Sequence, residues 1–98
     1  MAVDYQELET LMKAFSSATR LQILDCLQRG INNSGKIAKE LGLHRSTIEK
    51  HMKVLEEANV VKKIPSLTEK SQLTVIYSLQ KNANVILATI KHLVKDQQ

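Results

Sequence analysis

The chain has 98 residues, 43% of them hydrophobic and 24% charged, with 14 Lys+Arg against 10 Asp+Glu and a net charge of +4. That length gives one domain, or one domain plus an appended helix, and its 28 Leu, Ile and Val side chains exclude wholesale disorder. Tyr5, Phe15 and Tyr77 are the only aromatics, which argues against recognition by base stacking, and the lone Cys26 excludes an internal disulfide or a multi-cysteine metal site.

Leu8, Leu11, Met12 and Phe15 recur at spacings of three and four, the apolar stripe of a first amphipathic helix over about residues 4–15. Ser16-Ser17 interrupts and can cap a second helix, whose stripe is Leu21, Leu24 and Leu27 with Ile23. Gly30 ends it. The short Ile31 segment is a candidate third, edge strand. Asn32-Asn33-Ser34 then signals a cap for a short helix that buries Ile37, Ala38 and Leu41 and stops at Gly42. Only Leu43 and His44 precede the next helix, with Ile48, Met52 and Leu55 on one face. Two helices joined by so short a glycine-containing turn predict a helix-turn-helix.

After Asn59 the period changes. Val60, Val61 and Ile64 form a β-rich run expected to stop at Pro65, and Leu73, Val75, Tyr77 and Leu79 alternate as a strand. The polar segment between them is the tip of a hairpin. Asn82 is the expected cap of a last helix, about 82–96, carrying Val85, Ile86, Leu87, Ile90, Leu93 and Val94. The predicted order is α-α-α-α-β-β-α: a mainly α chain with a small β-hairpin, a winged helix-turn-helix forming a single domain over 1–98.

With Ile48, Met52 and Leu55 turned inward, the fourth helix presents Arg45, Ser46, Glu49, Lys50 and Lys53, with Thr47 at the margin. Arg45, Ser46 and Thr47 occupy the first turn, the part that enters a DNA groove deepest. Arginine can read guanine in bidentate fashion, while Lys50 and Lys53 suit phosphates. Glu49 can accept from cytosine or pair with Lys53 at i+4. Charge distribution agrees: residues 1–30 hold three basic and four acidic side chains, residues 31–98 eleven and six.

The stretch FSSATRLQILDCL, Phe15–Leu27, resembles the segment opening the core of arsenical-repressor (ArsR) type regulators, where D-P-T-R-L-x-I-L is usual. Thr19-Arg20-Leu21 and Ile23-Leu24 match; Ser17 and Ala18 replace Asp-Pro. The run Lys36–Val61 is similar to that family's helix-turn-helix, with Leu41-Gly42-Leu43, Ser46-Thr47, His51, Leu55 and Ala58 in matching positions, and Tyr77-Ser78-Leu79 resembles its wing ending. This resemblance implies a homodimeric regulator of transcription that binds double-stranded DNA. It places Arg45, Ser46, Thr47, Glu49 and Lys50 on the recognition helix and His51 near its backbone-facing edge. Three departures stand out. The helix before the recognition helix lacks the cysteine pair of the family's metal sensors, and the last helix offers only His92 and Asp96. A metal or small-molecule effector is therefore not expected, nor any cofactor. His44 stands where serine is usual, and is either aimed at DNA or merely tolerated. The tip has neither Arg nor Gly, so wing contacts rest on Lys70, with Lys62 and Lys63.

The last helix is more apolar than one core-facing stripe requires. Leu8, Leu11, Met12 and Phe15 with Ile86, Leu87, Ile90, Leu93 and Val94 are accordingly the expected two-fold interface. Cys26 reads as a buried small hydrophobe. No catalytic constellation is evident, so no enzyme is expected. An acidic N-terminus without a long apolar run predicts neither a signal peptide nor a membrane partner, and a cytoplasmic protein. The alternative function is a winged-helix protein-interaction module in a transcription or replication assembly; the polar face of Arg45–Lys53 favours DNA.

Overall fold

A computed structural model describes residues 2–96. The elements are α1 (Tyr5–Ala14), α2 (Ala18–Gln28), α3 (Ser34–Leu41), α4 (Arg45–Glu57), β1 (Val61–Leu67), β2 (Leu73–Leu79) and α5 (Lys81–Asp96). Caps mark the starts of the first three helices. Asp4 accepts from the Gln6 and Glu7 amides, Ser17 from Arg20, and Asn33 from Gly35 and Lys36. Each satisfies amides that have no partner within their own helix.

The core is built around α2, which buries Ile23, Leu24 and Cys26 and half-buries Leu21 and Leu27. Against it pack Ile37 and Ala38 of α3, Ile48, Met52 and Leu55 of α4, and Val60, Val61, Tyr77, Ala83 and Leu87. Burying a side chain such as Ile48 or Leu55 contributes about 1.5–3 kcal/mol. A polar strap crosses the same helix. Asp25 accepts from Arg29 and from Lys91 of α5, and Arg29 also donates to Glu40 of α3.

The two strands form an antiparallel hairpin with Val61 opposite Leu79 and Leu67 opposite Leu73. It extends two residues beyond Pro65, where the sequence reading ended it. β1 has a neighbour on one side only, and an edge position tolerates a residue without an N–H. The connection is correspondingly tight. Thr68 N donates to Gln72 O at 2.8 Å, Ser71 N to Thr68 O at 2.9 Å, and Ser71 takes φ 60°, the left-handed position of a three-residue hairpin loop.

The Ile31 segment does not add a third strand among the described residues. Its contribution is one backbone bond, Tyr77 N to Asn32 O at 2.9 Å. Asn33 is already committed to capping α3, so the chain turns away after that bond. Likewise α5 starts at Lys81, with Asn84 N bonded to Gln80 O, so Asn82 lies in its first turn and is not its cap. The radius of gyration, 14.4 Å, exceeds the roughly 12.6 Å of a compact chain of this length, and the molecule is elongated, with extents of 46 × 36 × 21 Å.

Candidate nucleic-acid interface

The turn between α3 and α4 is set by Gly42. It adopts φ 67°, and the Leu43 amide reaches back to Ala38 O at 2.9 Å, the arrangement that closes a helix with a left-handed glycine. His44 then starts α4 in extended conformation without a side-chain cap bond. The residue is exposed. At the far end Asn59, with φ 59°, reverses the chain into β1, bonding Glu56 O while Val60 N bonds Leu55 O. β1 thereby packs against α4.

Buried Ile48, Met52 and Leu55 fix the rotation of α4. His44, Arg45, Ser46, Glu49, Lys50 and Lys53 are all exposed, and Thr47 is half-buried at their margin. Arg45 Nε donates to Glu49 Oε1 at 3.2 Å, with both side chains at least half exposed. Glu49 thus pairs backward with Arg45 and not forward with Lys53. Lys63, on the face of the hairpin that carries Tyr77, lines a crevice with Glu49, Lys53 and Glu56. Lys70 stands at the exposed tip of the wing.

Two expected contact residues lie elsewhere. Lys62 is one position out of phase with Lys63, so the pleat turns it to the opposite face of β1. There it borders a cleft with Leu11, Lys81 and Ile86, beside the terminal helices and away from the α4 surface. His51 is half-buried. Its Nδ1 lies 3.2 Å from Arg20 Nη1, and burial first, then the Arg20 charge, hold its pKa below the ordinary 6.5. A neutral ring that accepts at Nδ1 carries its proton on Nε2.

Arg20 is the residue the sequence reading left without a role. It closes the end of α1 by donating from Nε to Ala14 O at 3.1 Å and from Nη2 to Lys13 O at 2.9 Å, and its third branch holds His51 of α4. The only signal was its place in the T-R-L motif. Leu67 and Leu73, opposite one another at the end of the hairpin, are 66% and 80% exposed, an apolar tip that was likewise not anticipated.

At the terminal helices, Leu8 and Met12 of α1 and Leu93 and Val94 of α5 are exposed. Leu11, Phe15, Ile86 and Ile90 are half-buried. Leu87 is 1% exposed within the subunit core, so it is not available to a partner. Ala83, Leu87 and Val94 fall on one helical line, of which Ala83 and Leu87 are buried and Val94 is exposed. His92 Nε2 lies 3.6 Å from Asp96 Oδ2 on an exposed turn, and no cluster of three His, Cys, Asp or Glu side chains able to hold a metal occurs among the described residues. Cys26 is buried, and burial raises its thiol pKa. No helix among the described residues is long and apolar enough to cross a membrane.

Residues 17–63 match the family model of bacterial regulatory proteins of the arsR family. Over 54 residues the chain is 33% identical to the transcriptional repressor SdpR of Bacillus subtilis; that stretch is 55% of this chain and 60% of the repressor. Among solved structures, a homodimeric winged helix-turn-helix DNA-binding domain from Mycobacterium bovis superposes with a TM-score of 0.81 at 20% identity, covering 95% of this chain and 82% of that one. HlyU from Vibrio cholerae superposes with a TM-score of 0.72 at 23% identity, over 95% and 97% of the respective chains. These structural likenesses establish the winged helix-turn-helix fold.

Proposed function

We propose that this chain, which carries an ArsR-family helix-turn-helix domain in residues 17–63, is a transcription regulator that binds double-stranded DNA as a homodimer. The observation that supports it most is the exposed polar face of α4, offset by one tight turn from α3 and flanked by the wing. An α-helix fits the major groove, where each base pair presents a distinct donor and acceptor pattern. In this reading Arg45 and Ser46 contact base edges with Thr47 and His44 beside them. Lys50, Lys53, Lys63 and Lys70 contact phosphates, and His51 supports α4 from behind.

The second copy would be held by the apolar surface of α1 and α5 through Leu8, Met12, Leu93 and Val94, with Leu11, Phe15, Ile86 and Ile90 at their edges. Two reading helices related by a two-fold axis would meet half-sites about one DNA turn apart. The repressor and the homodimeric domain it resembles support this reading. A cytoplasmic regulator without catalytic activity, bound metal or cofactor completes the proposal.

Substitution separates the roles. Arg45→Ala should relax base preference at one position by about 1–3 kcal/mol, whereas Lys50→Ala should weaken binding to all duplexes alike and reduce the salt slope by about one. Binding unchanged in both variants would remove α4 as the reading element.

The exposed Leu67–Leu73 pair favours a second reading, a wing that docks a protein. Under that reading Leu67→Ser with Leu73→Ser would abolish partner capture and leave DNA affinity as it was.

A further inference from the structure

We infer that Glu49 is a positioning residue for base readout, holding Arg45 in the geometry that reads guanine. This rests on the assignment of α4 as the DNA-reading helix.

The pair is one helical turn apart on the exposed face, with Arg45 Nε donating to Glu49 Oε1 at 3.2 Å. The bond engages the one guanidinium nitrogen that end-on recognition of guanine leaves unused. Both terminal nitrogens, Nη1 and Nη2, have no hydrogen-bond partner among the described residues. Their parallel N–H donors match the O6 and N7 acceptors of guanine. An arginine side chain is rich in rotamers, and ordering it is a cost of binding that a pre-formed contact reduces. A carboxylate on a DNA-facing surface otherwise repels phosphates. Here it is placed so that its charge is spent on Arg45, with Lys53 and Lys63 on the same crevice. Glu49 therefore trades non-specific affinity for discrimination.

The arrangement differs from direct reading of cytosine by Glu49. In that case Glu49 and Arg45 would govern two different base pairs. In the buttress they govern one, and their effects are not additive.

The test is a set of binding measurements on the full chain with a selected duplex, its single-base variants and an unrelated duplex. Glu49→Ala should lower the guanine preference at the Arg45-dependent position by about threefold or more, and tighten binding to the unrelated duplex. Glu49→Gln, whose amide oxygen still accepts from Nε, should keep most of the preference. Arg45→Ala with Glu49→Ala together should be no less selective than Arg45→Ala alone. Preference unchanged in Glu49→Ala, lost at another base pair, or lost additively in the double variant would overturn the positioning role while leaving α4 as the reader. A wild-type chain with no base preference at all would overturn both.

Discussion

Arg20 and His51 join α2 to α4: Arg20 Nη1 lies 3.2 Å from His51 Nδ1, while the same guanidinium caps the last carbonyls of α1 at Lys13 and Ala14. One side chain therefore ties α4 to α1. Arg20→Ala should destabilise the fold by about 1–3 kcal/mol, since it removes three hydrogen bonds made by a charged donor. Arg20→Lys should recover only part, because an ammonium cannot span the three acceptors. Urea unfolding checks this: the midpoint should fall with the slope unchanged.

The same contact predicts a pH dependence. Burial, then the Arg20 charge, lowers the His51 pKa from 6.5, so the unfolded chain takes up this proton at higher pH than the folded one. The stability it contributes is complete above 6.5 and is lost as pH falls through the lowered folded value. Asp25, whose pKa is lowered from 3.8 chiefly by its bond to Lys91, acts in a separate, more acid window. Stability of the wild type should therefore decline as pH falls below 6.5, and His51→Gln should flatten that decline.

Two leucines of α5 make opposite predictions. Leu93 is 60% exposed and Leu87 is 1% exposed. Leu93→Glu should convert the proposed dimer, about 22 kDa, to the 11.0 kDa chain in light scattering without unfolding it, and should weaken DNA binding steeply. Leu87→Ala should cost about 2–5 kcal/mol of stability through the cavity it leaves. A fully folded monomer at all concentrations in the wild type would contradict the interface.

Ser71 occupies a left-handed position in the wing turn, at φ 60°. Ser71→Gly should stabilise the hairpin by about 0.5–1 kcal/mol, since glycine takes this conformation without a Cβ contact. Slower amide exchange at Thr68 and Gln72, which bond each other across the turn, is the readout.

Much of the fold was legible because its boundaries carry local chemistry. Ser17, Asn33 and Gly42 punctuate α2 and α3 with caps and a left-handed turn, and the spacing of Ile48, Met52 and Leu55 set which face of α4 turns outward. Where a property depends on the neighbouring element, the pattern misled. Pro65 ends most strands, yet an edge strand keeps it. Helical spacing groups Leu87 with Val94, but only the packing of neighbouring elements decides that the first is core and the second exposed. Strand alternation separates Lys62 from Lys63 in principle, but the strand had to be placed before the faces meant anything. The Arg20–His51 contact spans 31 positions and leaves no periodic trace.

Selection of bound duplexes from a random pool, followed by footprinting, tests the proposed role of α4 most directly. A two-fold dimer using α4 should enrich an inverted repeat whose half-sites lie about one helical turn apart, with affinity falling steeply as salt rises. Recovery of no preferred sequence, or of a single unpaired half-site, would contradict it.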